Sequence, residues 1–80
     1  MKLLRDVSGK QLGRALGKLG YTFTRPKGSH MRYTTQQRGQ HHVTIPDHSA
    51  LKTGTLHGIL KEVGAHHGLS VEELVVHLAL

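Results

Sequence analysis

The 80-residue sequence has no cysteine and no tryptophan, one phenylalanine, two tyrosines and two prolines. Without cysteine, disulfide frameworks, thiolate metal sites and cysteine nucleophiles are excluded, and the composition fits a reducing compartment. No apolar run approaches the roughly 18 residues that a membrane span needs. The opening Met1-Lys2-Leu3-Leu4-Arg5-Asp6 is too short and too charged for a secretory signal, so no membrane association and a cytoplasmic location are expected. Acidic residues are scarce as well, 5 against 11 lysines and arginines, for a formal net charge of +6. That scarcity is local. Between Val7 and Pro46 stand Lys10, Arg14, Lys18, Arg25, Lys27, Arg32 and Arg38 with no acidic residue among them, whereas the tail after Asp47 is roughly balanced. A single-signed stretch of this length predicts one electropositive face and a polyanionic partner. The length predicts one domain, residues 1–80. A chain this short buries only about 60% of its surface on folding, so chemistry belongs on an open face or in a shallow groove.

Eight histidines are present, with adjacent pairs at His41-His42 and His66-His67. The pattern around them predicts the elements. Ser8 with Gln11 three residues later is a capping box, Val7 and Leu12 are placed as a hydrophobic staple, and Leu12, Ala15, Leu16 and Leu19 recur at helical spacing. Gly20 stops that helix; Gly13 and Gly17 weaken it but permit close packing. Lys10, Arg14 and Lys18 line one exposed ridge of it. Tyr21 to Thr24 is a short alternating strand, Pro26 to Ser29 a turn, His30 to Thr35 a second strand, Gln36 to Gln40 a polar turn, and His41 to Ile45 a third strand ended by Pro46. Short connections imply antiparallel hairpins.

Alternation puts Tyr21, Phe23, Met31, Tyr33, Val43 and Ile45 on an apolar face and Thr22, Thr24, His30, Arg32, Thr34, His42 and Thr44 on the opposite one. The aromatic residues are therefore assigned to the core. Asp47 to Thr53 is a loop. Leu56, Ile59, Leu60 and Val63 mark a second amphipathic helix, ended near Gly64 and Gly68. Ser70 to Glu73 is another capping box, opening a third helix from Val71 to Leu80. The expected fold is α+β, a two-layer sandwich of α-β-β-β-α order with an extra C-terminal helix: a core over about residues 7–64 and the added helix over about 70–80. This is the order of double-stranded RNA-binding domains.

Several pieces of the chain together carry a resemblance. They are Ser8-Gly9-Lys10, Leu19-Gly20-Tyr21, Arg25-Pro26-Lys27-Gly28-Ser29-His30, Val43-Thr44-Ile45-Pro46 with His48, Lys52 followed by Gly54-Thr55-Leu56 and Ile59-Leu60-Lys61, and Gly68-Leu69-Ser70-Val71-Glu72-Glu73-Leu74. In this order and spacing, over roughly Val7 to Leu78, the sequence resembles the HicA family of toxin endoribonucleases. The resemblance implies a metal-independent enzyme, without cofactor, that cleaves mRNA and stalls translation, and a paired HicB-type antitoxin that covers its active site. The family's key histidine lies in a Gly-Ser-His motif, which corresponds to His30. Ala65-His66-His67 lengthens the approach to the last capping box relative to the commoner pattern, which bears on how the third helix packs.

The chemistry of RNA cleavage suits these residue types. RNA supplies its own nucleophile, the 2′-hydroxyl, so cleavage needs a base, an acid for the departing 5′ oxygen and cations for the charge on phosphorus. Histidine transfers protons near neutral pH, and arginine and lysine stabilise a transferring phosphoryl group. His30 is the expected proton-transfer residue. Lys27, Gly28 and Ser29 are expected to hold the phosphate, glycine because its missing Cβ admits close approach. Arg25 and Arg32 are expected on neighbouring phosphates, and Lys52 and Thr55 at the next helix start are candidates for another. The second proton-transfer role is open between His48 and His42. A metal site is not expected: His41 and His42 point to opposite faces of a strand, and His66 and His67 are ~100° apart on a helix. Two competing readings use the same basic face, a non-catalytic RNA-binding module and a domain that binds an acidic protein.

Overall fold

The computed structural model describes residues 6–80, and within them every side chain but that of Lys27. The first five residues of the opening hexapeptide, read above as unlike a signal, lie outside it. Helix α1 spans Gly9–Ala15 and continues as a 3-10 turn over Leu16–Leu19. Strands β1 (Thr22–Lys27), β2 (His30–Thr35) and β3 (His41–Pro46) follow, then α2 (Thr53–His67) and α3 (Val71–His77). The three strands form one antiparallel sheet in the order β1-β2-β3. The fold is the α+β sandwich that the sequence pattern predicts, with helices on one face and the other face open.

Both capping boxes form. Ser8 Oγ accepts from the Gln11 amide at 3.0 Å, and Ser70 Oγ accepts from the Glu73 amide at 3.0 Å while Glu73 Oε1 accepts from the Ser70 amide at 2.9 Å. These local devices fix where α1 and α3 begin, typically worth about 1 kcal/mol each. The core joins the layers: Leu12, Leu16, Ile45, Leu56, Leu60, Val63 and Leu74 are fully buried. Each such side chain contributes about 1.5–3 kcal/mol of burial.

The sequence pattern misplaces four details. The first strand does not stop at Thr24 but runs to Lys27, so Pro26 and Lys27 are strand residues and the turn is Gly28-Ser29 alone. Gly28 has φ +61, while Ser29 does not share the positive φ. Glycine at the first central position is the type II′ hairpin pattern, whose twist matches that of the strands. Phe23 is 51% exposed rather than core. The helices meet the sheet mainly at β3, so the helix-side surface of β1, an edge strand, stays uncovered. The third helix ends at His77 rather than Leu80, although Leu78 is buried and Leu80 packs against the core. It docks because α2 runs to a left-handed cap at Gly68 (φ +71) and the chain then turns closely past Gly64.

The fourth detail concerns two glycines. A Cβ at residue 13 would fall on the Tyr33 ring, so α1 lies against β2 at van der Waals distance only because Gly13 has none. Gly17 faces open space and serves no packing role. Gly13→Ala overpacks this contact, at about 1–3 kcal/mol, against a helix-propensity gain of about 1 kcal/mol; the expected net loss is about 0–2 kcal/mol. Gly17→Ala is expected to gain about 0.5–1 kcal/mol. Urea unfolding of both variants checks the pair, and equal midpoints would show that the helix does not rest on Tyr33.

Candidate nucleic-acid interface

The sheet register assembles the open face. An irregularity between Phe23 and Arg25 inserts one extra residue, Thr24, into β1. Such a bulge changes the face of every residue beyond it. Before it, Thr22 pairs with Thr34 and Phe23 with Tyr33; after it, Arg25 pairs with Arg32, Pro26 with Met31 and Lys27 with His30. Continued alternation from Phe23 would have put Arg25 and Lys27 on the helix side. The bulge instead brings both register positions to the open face. Thr24 Oγ1 secures the irregularity, donating to the Arg32 carbonyl at 3.0 Å and lying 3.3 Å from Thr34 Oγ1.

Three rows result across the sheet: Thr22–Thr34–His42, Arg25–Arg32–Thr44 and Lys27–His30–Pro46. His30 is exposed at the end of β2, with the half-buried Arg32 one row along and exposed Arg25 beside it. Arg25, Pro26, His30, Arg32, His42 and Thr44 line a shallow groove of about 340 Å³. His30 also borders a second groove of about 450 Å³ on the other side of the hairpin, between α1 and β1. Among the described residues the only ion pair is His41–Glu62, 3.6 Å apart, so none of the described arginine and lysine side chains is neutralised by a carboxylate.

The expected site residues separate. His30, Arg25 and Arg32 come together with His42, and Lys27 joins them by register. Gly28 and Ser29 form the turn beside them, tied to the exit of β3 by the Asp47 amide donating to the Ser29 carbonyl at 2.7 Å. His48 follows directly, its carbonyl accepting from the Gly9 amide at 2.9 Å. His42 pairs with Thr34, four residues along β2 from His30 or about 13 Å, and its Nδ1 lies 2.7 Å from Thr34 Oγ1. Lys52 and Thr55 are exposed at the start of α2, which has no side-chain cap, and do not enter the open-face groove.

Sequence reasoning missed a second histidine centre at the far end of the sheet. Three imidazoles gather there around Tyr21. Its ring is buried, and its hydroxyl lies 2.6 Å from His41 Nδ1 and 3.2 Å from His67 Nε2. Burial first, and Glu62 second, push the Tyr21 pKa up to about 12. The hydroxyl thus stays protonated and bridges the two imidazoles, donating to one and accepting from the other. His66 stacks on His41 at 4.5 Å and donates from Nε2 to the Gln37 and Gly39 carbonyls at 3.0 Å each. Among the described residues no three histidines or carboxylates are arranged to hold a metal ion. Nothing local marks this cluster, because His41 and His67 are far apart in the chain and only the docking of α2 brings them together.

The open, basic sheet face beneath a helical layer defines a small α+β domain with an unneutralised cationic surface. The sequence model of a family described as the HicA toxin of bacterial toxin-antitoxin matches residues 9–65. The chain belongs to the HicA toxin family, and as the toxin of such a pair it has a cognate antitoxin. Searches against curated proteins and against solved structures returned no match. Among the described residues no helix is long and apolar enough to cross a membrane.

The matched residues stop before His66, His67 and α3. The pKa values of His41 and His67 are lowered, in both by burial first and then by His66; for His67, His41 and Arg38 add to the depression, and for His41, Glu62 partly opposes it. An unfolded histidine at the ordinary 6.5 therefore takes up a proton more readily than either folded one. Stability is expected to be highest above about pH 6.5 and to fall as pH drops below it. His67→Gln, which keeps a hydrogen bond to Tyr21 but cannot titrate, is expected to show a smaller drop in Tm between pH 7.5 and 5.5. Parallel melting curves for the two proteins would exclude the cluster as the source.

Proposed function

We propose that this chain is a metal-independent endoribonuclease that cleaves mRNA in the cytoplasm, that His30 transfers the proton, and that a HicB-type antitoxin neutralises it by covering the open face. The observation that carries the reading is that an exposed His30 shares one groove with Arg32 and with Arg25, which the bulge brings opposite Arg32. A phosphodiester laid across this corner meets a proton-transfer group and two unneutralised cations in an open groove that admits a polymer.

The 2′-oxygen attacks phosphorus as its proton leaves, the bond to the 5′ oxygen breaks, and that oxygen takes up a proton. A 2′,3′-cyclic phosphate and a free 5′-hydroxyl result. His30 removes the first proton or supplies the last. Arg25 and Arg32 bind the charged oxygens, where the electrostatic contribution to catalysis is largest. Lys27 and the amides of Gly28 and Ser29 hold the phosphate at the turn. Of the two candidates for the second proton transfer, the backbone holds His48 beside the turn, whereas His42 is about 13 Å along the strand and suits the next stretch of RNA. Lys52 and Thr55, exposed outside the groove at the start of α2, are candidates for a more distant phosphate.

Paired induction of the wild-type chain and His30→Ala, following growth and transcript integrity, tests the reading. Wild type is expected to arrest growth with cleaved transcripts, and the equally expressed, folded variant is expected to do neither. Harmlessness of both would favour a non-catalytic RNA-binding module, and equal cleavage by both would remove His30 from the chemistry.

A further inference from the structure

The groove between α1 and β1 differs in character from the open face. Its floor is apolar, with Phe23 supported by Tyr33 in an edge-to-face contact, centroids 5.6 Å apart and planes at 68°. Phe23 is one of only two large hydrophobic residues exposed among the described residues. One wall carries Lys10 and Arg14, successive members of the exposed ridge of α1, and one end is His30. A half-exposed aromatic ring held rigid by a buried one is a stacking surface that orders few side-chain rotamers on binding. Cations on the facing helix supply what the phosphates of a stacked nucleotide need. The only carboxylate lining the groove is Asp47; it repels a phosphate and accepts from an exocyclic amine, which favours entry of the base and not the backbone.

We propose that this groove binds one unpaired nucleobase of the RNA strand that crosses His30, the base stacking on Phe23 and Lys10 and Arg14 holding the adjoining phosphates. This rests on the reading of the chain as an RNA-cleaving toxin. Because His30 borders both grooves, the strand bends around the hairpin edge there, with one base lodged on the α1 side and the backbone continuing over Arg25 and Arg32. Such a bend requires single-stranded RNA, since a paired base has no free face to offer. Base stacking on an aromatic side chain is sequence-tolerant, and the Asp47 carboxylate adds a preference for bases that carry an amine.

The absence of tryptophan makes the test direct. In a His30→Ala background, Phe23→Trp gives a single tryptophan, which is excited selectively over the two tyrosines. Titration with a 2′-O-methyl RNA hexanucleotide is expected to quench it saturably, and the same oligomer with abasic positions is expected to bind without quenching. Phe23→Ala is expected to weaken binding of the labelled hexanucleotide by roughly 5- to 150-fold, with Phe23→Tyr restoring it. Binding without quenching, and unchanged by Phe23→Ala, would overturn the base site while leaving the RNA reading intact. Absence of any hexanucleotide binding by the His30→Ala chain would overturn both. Quenching by the antitoxin protein but not by RNA would assign the groove to that partner instead.

Discussion

One inserted residue decides the chemistry of this sheet. The two-residue turn at Gly28-Ser29 fixes which residues of β1 face which residues of β2, and in an unbroken ladder that register would bring Phe23 to the open face. Upstream, Tyr21 and the first strand positions are held by the helical layer in the opposite phase. The bulge at Thr24 reconciles the two. It keeps Phe23 on the helix side beside Tyr33 while Arg25 and Lys27 take positions beside Arg32 and His30. A one-residue slip moves a whole strand's side chains to the other face, so the cations of the proposed active corner exist as a group only because this irregularity is maintained. The Thr24 hydroxyl, bonded to the Arg32 carbonyl, ties the bulge to the strand that carries His30.

The second constraint is electrostatic. The basic residues from Lys10 to Arg38 have no acidic neighbours in sequence, and folding gives their described side chains no ion-pair partners. Their mutual repulsion is relieved by spreading them over α1 and the sheet and by solvent, not by internal pairing. A polyanion lowers that repulsion on binding, and so does a protein partner that presents carboxylates to the same surface. In the proposed function, RNA binding and neutralisation by an antitoxin would draw on one reservoir of unneutralised charge, and the two are then expected to compete.

Much of this was legible in the sequence because it depends on local signals. The capping boxes at Ser8 and Ser70, the apolar spacing of Leu56, Leu60 and Val63, and the alternation of β2 and β3 each specify an element from a few neighbouring residues. What the sequence did not show depends on distant contacts. Pro26 in Arg25-Pro26-Lys27 reads as turn material, yet proline fits an edge strand, where a missing amide donor costs little. Phe23 reads as core because alternation cannot reveal that the helices settle over β3. Gly13 and Gly17 look alike in sequence, and only the position of Tyr33 separates a required glycine from a dispensable one. The grouping of Arg25 with His30 was expected from the motif, but the bulge that produces it has no sequence signature.

The two histidine centres divide the work of one residue type between opposite ends of the same ladder. His30 pairs with Pro46 at one end of β2, and Thr35 pairs with His41 at the other. At the first end the imidazole is exposed and free to meet a substrate. At the second, His41 and His67 are hydrogen-bonded to Tyr21 and partly or fully withdrawn from water, where a proton is unwelcome. The second centre joins β3 to the last turn of α2, just before α3, and so stabilises the docking of the segment beyond the family match. Acid therefore acts on this end of the molecule, by loosening the contacts that His41 and His67 make with Tyr21. Because the two ends are separated by the length of the strand and share no partner, a variant at the Tyr21 end is expected to leave the surroundings of His30 undisturbed.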